Sequence, residues 1–222
     1  MENRKIYLAN HFKVFDNVIK KKRLEIIDII NQLINSNNIK NVLDVGTTSD
    51  DLNPNSNLIV KNLKNIDKFY SISNQTINSP FFEKSLKKSI VENLNEDEIE
   101  NFKSDLVLSS ATIEHVGSFE NQRMMIKNMI KLSKEMLIIT TPNRFHPVEF
   151  HTKIPFIHWL PKKLHRKILK MFNLTFYSKE ENLNLLSKRD FLDLTKEENI
   201  KYEFKFIKLL FFKSNLIFIV KK

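Results

Sequence analysis

The 222 residues carry 36 Lys and Arg against 26 Asp and Glu, a net charge of +10, with 41% apolar and 10% aromatic content. The absence of cysteine excludes disulfides, thiolate metal sites and a cysteine nucleophile, and two glycines, Gly46 and Gly117, are too few for a G-x-G-x-x-G or Walker phosphate loop. Apolar runs such as Leu216–Val220 fall far short of the roughly 20 residues of a membrane-spanning helix, and Met1-Glu-Asn-Arg-Lys5 leads into no apolar signal core, so a cytoplasmic protein is expected.

In chain order, Phe12, Phe15 and Ile19, then Leu24, Ile27, Ile30, Leu33 and Ile34, recur at helical spacing and predict N-terminal helices over 1–38. Lys20-Lys-Lys-Arg23 between them reads as a solvated face or a bend. Asn41-Val-Leu-Asp-Val-Gly46 is a short apolar strand ending in an acid and a glycine, followed by the polar loop Thr47–Asp51. Lys68–Ile72 is a second strand, Lys88–Val91 a third and Asp105–Ser110 a fourth. Phe119–Ser133 is a helix with the stripe Met125, Ile126, Met129, Ile130 and Leu132. Met136–Thr141 is a fifth strand, stopped by Pro142. Strands alternating with helices predict a parallel sheet covered on both faces. Lys188–Asn199 reads as a helix. Tyr202–Phe212 and Asn215–Val220 then read as an antiparallel hairpin turning at Lys213-Ser214, within one domain over 1–222.

Three of these segments carry a resemblance. Val42-Leu-Asp-Val-Gly46, Asp105-Leu-Val-Leu-Ser-Ser-Ala-Thr-Ile-Glu-His-Val116 and Leu137-Ile-Ile-Thr-Thr-Pro-Asn143 resemble the first, fourth and fifth strand motifs of class I S-adenosylmethionine-dependent methyltransferases, nearest to the small-molecule type 11 group. Their order, spacing and terminal hairpin match over about residues 38 to 220. Gly46–Asp50, Glu114–Ser118, Thr141–Thr152, His158–Pro161 and Glu181–Leu186 resemble one bacterial subgroup, some of whose members are linked to cell-surface polysaccharide or lipid pathways.

The resemblance implies a Rossmann-like, doubly wound α/β sheet of seven strands, mostly parallel with an antiparallel C-terminal hairpin. It implies S-adenosylmethionine as cofactor, with Asp44, Gly46, Thr47 and Thr48 along its methionine part and Ser109, Ser110 and Ala111 contacting it after strand four. Two departures stand out. The usual G-x-G-x-G loop is replaced by Gly46-Thr-Thr-Ser-Asp50, and no acid ends strand two to grip the ribose, where Ser73 or Asn74 could make a weaker contact. Glu92, with Asn93 beside it, stands where an acid often meets the adenine amine.

His115 and His151 are the expected bases, needed only for a hydroxyl acceptor. For Glu114 and His115 a capping role on the following helix weighs equally. Some relatives bind a divalent metal through E-x-x-E-H, but Ala111 stands at the first position, and the spacing of His146, His151 and His158 is not that of helix i, i+4 ligands. No metal is therefore expected.

Residues 144–187 form a lid-like insertion after strand five. Asn143, Arg144, His146, Glu149 and Trp159 read as substrate contacts, with loop-locking hydrogen bonds as the alternative for the polar ones. From Phe150 to Lys179 there is no acid, while Lys153, Lys162, Lys163, Arg166, Lys167 and Lys170 precede Lys179. Pro161 suits the first turn of a helix in which Leu164, Ile168, Met171 and Phe172 share one face and the cations the other. That helix is a lid, an ordinary packed helix, or a membrane-surface contact through 153–172 at the inner face of the membrane. The expected reaction is methyl transfer to an O or N of a small or lipid-linked acceptor. The alternative is a non-catalytic module of the same fold that binds through its basic segment. Nucleic acid is not expected: strand four continues Ser-Ser-Ala-Thr, not an Asn-Pro-Pro-Tyr-like motif, and no aromatic-interleaved basic stripe is present. Much of the basic excess is Lys, abundant together with Asn and Ile, so total charge says less than its local distribution.

Overall fold

The computed structural model describes residues 13–50, 53 and 55–222. Its strands are β1 Asn41–Val45, β2 Lys68–Ser73, β3 Lys84–Lys87, β4 Ser104–Ser110, β5 Ser133–Pro142, β6 Lys201–Leu209 and β7 Phe212–Lys221. Its helices are α1 Lys13–Asn37, α2 Leu58–Lys61, α3 Glu96–Phe102, α4 Phe119–Leu132, α5 Lys162–Met171 and α6 Lys188–Thr195. The strands form one sheet in the order β3-β2-β1-β4-β5-β7-β6. Pairing is parallel from β3 to β5; β7 then runs antiparallel to β5, and β6 antiparallel to β7.

The central strands are apolar on both faces because both faces are covered. Leu43, Val107 and Leu137 pack with Met125, Ile126 and Met129 of α4. Their sequence neighbours Val42, Leu106, Leu108 and Ile138 point to the other face and pack with Ile26, Ile27, Ile30 and Ile34 of α1. Helix starts are fixed by side chains. Ser118 accepts from the Asn121 amide ahead of α4, and Asn95–Glu98 and Ser187–Asp190 form capping boxes on α3 and α6. Because β1, β4 and β5 are parallel, their C-terminal ends open on the same edge. The antiparallel β7 brings Asn215 to that edge, opposite Pro142.

Several sequence expectations need correction. The third strand is Lys84–Lys87, not Lys88–Val91; it is a short edge strand whose side chains are mostly exposed, so it lacks an apolar signal. The hairpin turns at Leu210-Phe211, not Lys213-Ser214: Lys213 pairs with Lys208, and Ser214 is the extra residue where the register shifts. Helix α6 stops at Thr195, short of Asn199. Lys20–Arg23 is no bend, since α1 runs through it, and Leu24 lies on the exposed side. Phe12 lies outside the described residues. In α5 the expected apolar face is largely in solvent: Leu164, Met171 and Phe172 are exposed, whereas His165 and Leu169 are buried.

The segment between β5 and α6 is stitched back onto the turn after β4. The Asn184 amide donates to the Glu114 carbonyl (2.7 Å), and the Asn184 side chain donates to the Gly117 carbonyl (2.8 Å). Gln122 of α4 donates to the carbonyls of Asn184 (2.8 Å) and Ile113 (3.1 Å). Both side-chain amides are buried, so each bond replaces one otherwise made with water.

Candidate active site

At the end of β1, Asp44 is buried, and Thr47 donates its hydroxyl to Asp44 Oδ2 at 2.6 Å. Burial raises the Asp44 pKa to about 6, against the smaller opposing effect of the Thr47 hydrogen bond. Gly46 follows at φ 91°, its N–H donating to the Ile72 carbonyl at 2.9 Å. A Cβ there would lie 2.2 Å from Thr112 Oγ1, so only glycine lets the turn after β4 pass this close. Ser73, at the end of β2, donates to the Thr47 carbonyl at 2.6 Å. The Thr48 amide donates to Asn57 Oδ1 and the Ser49 amide to Gln75 Oε1, each at 3.0 Å. The loop that lacks glycines is thus held by side-chain carbonyls.

Across the sheet edge, Ser109 donates to the Val45 carbonyl at 2.9 Å, and Ser110 accepts from Thr140 at 3.1 Å. Ala111 holds a left-handed φ of 51°, at a cost of about 1–2 kcal/mol for a residue with a Cβ. Ser110 and Ala111 line a cleft of about 180 Å³ that also takes in Thr140, Thr141, His151 and Asn215. The rest of its wall is mostly apolar, Ile19, Ile26, Phe150 and Leu209 included, with Ser214 and with Lys22 and Arg23 of α1. Glu92 and Asn93 are exposed in the turn after β3, where Asn128 holds the Ile90 and Glu92 carbonyls at 2.6 and 2.8 Å.

His115 and His151, far apart in sequence, meet edge to face with ring centroids 4.9 Å apart. His115 Nδ1 lies 2.6 Å from the Asn182 carbonyl, and His151 Nδ1 lies 2.6 Å from Glu149 Oε1. Burial by itself would raise the Glu149 pKa. The charge and hydrogen bond of His151, with the His151 and Thr152 amides, overcome it and bring the value to about 2. For His151, burial works downward, but Glu149 prevails and the pKa is raised. His115 is lowered, chiefly by burial. Glu114 is buried beside them, and Thr141 donates to its Oε2 at 2.9 Å. Linear spacing gives no reason to expect a metal site, yet the fold gathers donor atoms of Glu114, His115 and His151 within 4.8 Å of one another.

The other expected substrate residues are engaged in shaping the segment. Asn143 donates to the Lys213 carbonyl and accepts from the Phe145 amide. Arg144 donates to the carbonyls of His158 and Leu160. The His146 carbonyl accepts from His158 and from the Trp159 indole, and His146 itself is buried. Trp159 is 41% exposed against Phe156. Two cleft residues escaped sequence reasoning, Lys22 and Arg23, cations facing the cleft. Glu114 enters it as a ligand only within an E-x-x-E-H motif that Ala111 leaves incomplete, and the fold supplies His151 beside it.

No family model matches this sequence, and no curated protein matches it in sequence. Solved structures do match in fold. Magnesium protoporphyrin IX methyltransferase from Synechocystis PCC 6803 with bound SAM aligns with a TM-score of 0.55 at 10% identity, over 99% of this chain and 89% of that one. N-methyltransferase NodS from Bradyrhizobium japonicum WM9, in complex with S-adenosyl-L-homocysteine, gives 0.56 at 10% identity, over 98% and 95%. The chain has the class I methyltransferase fold. The small RNA methyltransferase HEN1 aligns at 0.55 and 14% identity, over 89% of this chain and 25% of that one. In the methyltransferase fold ligands lie outside the carboxyl ends of the parallel strands, which is where Asp44, Gly46 and the cleft are found. Among the described residues, no helix is long and apolar enough to cross a membrane.

Proposed function

We propose that this protein is an S-adenosylmethionine-dependent methyltransferase acting on an O or N of a small or lipid-linked acceptor. The observation that carries this reading is Asp44. A buried carboxylate at the end of β1, its pKa raised to about 6, is poorly stabilised as an anion by a neutral hydroxyl. A cationic amine, such as that of the cofactor's amino-acid portion, is the partner it suits. Gly46, whose missing side chain lets the turn after β4 close against the end of β1, and Ser109 to Ala111 beside it would complete the cofactor's surroundings. When bound, S-adenosylmethionine supplies a methyl group on a cationic sulfonium. The protein's own task is then alignment and exclusion of water, which the cleft provides. Its apolar wall with Lys22 and Arg23 favours an acceptor with an apolar body and an anionic group. Such chemistry suits cell-surface polysaccharide or lipid metabolism. For a hydroxyl acceptor, the proton leaves past His151 at the cleft wall and His115 packed against it.

Calorimetric titration with S-adenosylmethionine and S-adenosylhomocysteine tests this. Micromolar binding, lost in Asp44→Ala, supports it. Absence of binding at millimolar ligand favours the non-catalytic module, a reading to which the capped Thr48 and Ser49 amides lend weight.

A lipid-linked acceptor gains support from α5, where exposed Leu164, Met171 and Phe172 alternate with Lys163, Lys167 and Lys170. Cosedimentation with phosphatidylserine vesicles, weakened by Met171→Glu, is the expected result. Equal recovery with and without vesicles removes the membrane contact.

A further inference from the structure

We propose that Glu114, His115 and His151 form a divalent transition-metal site in the wall of the cleft. The first support is proximity: one donor atom from each lies within 4.8 Å of the other two. An ion bound at about 2.0–2.2 Å from each ligand needs these atoms to close further, over distances that side-chain rotation supplies.

The second support is where the protons sit. A carbonyl oxygen and an ionised carboxylate can only accept, so His115 Nδ1 and His151 Nδ1 both donate, to Asn182 and to Glu149. In the neutral ring of each, Nε2 then carries the free lone pair. A histidine whose far nitrogen is anchored to a carbonyl or carboxylate is the usual form of an imidazole metal ligand, because that bond fixes tautomer and ring orientation.

The third support is an orphan. Glu114 is 0% exposed, and while its Oε2 is held by Thr141, its Oε1 is buried with no hydrogen-bond partner. A buried carboxylate oxygen without a donor is costly, and Glu114 is one of the three residues whose donor atoms gather here. A cation removes the repulsion among all three.

Two imidazoles and one carboxylate suit zinc, manganese, iron or cobalt in preference to calcium or magnesium. Three protein ligands also leave coordination positions open, and His151 lines the cleft, so an acceptor has access. The donor set stands independently of the reaction; its role rests on the methyl-transfer reading. In that role, an acceptor hydroxyl bound to the ion loses its proton to solvent at neutral pH. Its oxygen then bonds the methyl carbon as the carbon–sulfur bond breaks, and the electron pair stays on sulfur as a neutral thioether.

The test uses the full chain, stripped with chelator and titrated with Co²⁺ at pH 8. Expected are one bound equivalent, visible ligand-field bands and a raised unfolding temperature, with Zn²⁺ displacing the cobalt. Glu114→Gln and His151→Ala should abolish the bands. Glu149→Gln, which touches no ion, should weaken binding about 10–100-fold. The competing occupant is a proton on His151. If that holds the cluster together, wild-type protein shows no 1:1 binding at millimolar Co²⁺, and the proposal is overturned; it is equally overturned if binding survives in His115→Ala/His151→Ala. S-adenosylhomocysteine calorimetry on the same samples reads the methyl-transfer site separately. Cobalt binding without it keeps the metal site and removes its assigned role.

Discussion

Two buried carboxylates of this molecule are treated in opposite ways. Glu149 receives a histidine and two backbone amides and is held as an anion, with its pKa near 2. Asp44 receives one hydroxyl from Thr47, and its pKa rises to about 6. Burial pushes both upward; what differs is the charge and number of the donors that answer it. Glu149 is satisfied within the protein, whereas Asp44 is left in want of a positive partner. That contrast separates a group that builds the site from one that awaits a ligand.

The sharpest way to break the comparison is to neutralise each acid in turn. Glu149→Gln removes the charge that anchors buried His151, and should destabilise the protein by about 3–5 kcal/mol in urea unfolding. Asp44→Asn should act in the opposite sense. The folded-state pKa of Asp44 lies above its ordinary 3.8, so between pH 3.8 and about 6 the folded protein holds the proton more tightly than the unfolded chain. Its stabilising effect is complete below pH 3.8 and lost as pH rises through about 6. At pH 8 the asparagine variant should therefore be more stable by up to about 3 kcal/mol, while losing affinity for S-adenosylhomocysteine. Equal destabilisation by both variants would erase the distinction.

Gly46→Ala probes the seam between the two regions, because the added methyl strikes Thr112 on the turn that leads to Glu114. A loss of about 1–3 kcal/mol is expected in thermal unfolding, with cofactor binding weakened too. The subtlest effect is a proton count. If a cation settles beside Asp44, its pKa falls, so binding of S-adenosylhomocysteine at pH 6 should release a fraction of a proton and at pH 8 none. Calorimetry in buffers of different ionisation enthalpy measures this, and an equal count at both pH values would detach Asp44 from the ligand.

These two regions also differ in how far the sequence foretells them. The end of β1 is local: Asp44 and Gly46 sit together at the close of an apolar run, and the parallel sheet places such an end at a binding edge. The strands β1, β4 and β5 are legible for the same reason, since burial on both faces leaves unbroken apolar runs. The cluster is not local. His151 meets His115 only because the segment after β5 folds back over the turn after β4, and no spacing along the chain encodes that return. Edge features mislead in their own way. Lys84–Lys87 pairs through its backbone with little apolar signature, and the hairpin turns on Leu210-Phe211, 83% and 93% exposed, where turn chemistry would favour Lys213-Ser214. In α5 the apolar stripe is present, but packing buries His165 and Leu169 instead.

The bonds joining Asn184 to Glu114, Gly117 and Gln122 have a consequence for engineering. The segment after β5 is not a detachable cassette. Transplanted into another protein of this fold without Gln122, its return limb would arrive with the buried Asn184 carbonyl unanswered, and His115 would lose the register that sets Asn182 against it. A graft that respects this joint carries the turn after β4 and the first turns of α4 together with the segment, so the exchangeable unit is discontinuous in sequence and continuous in space.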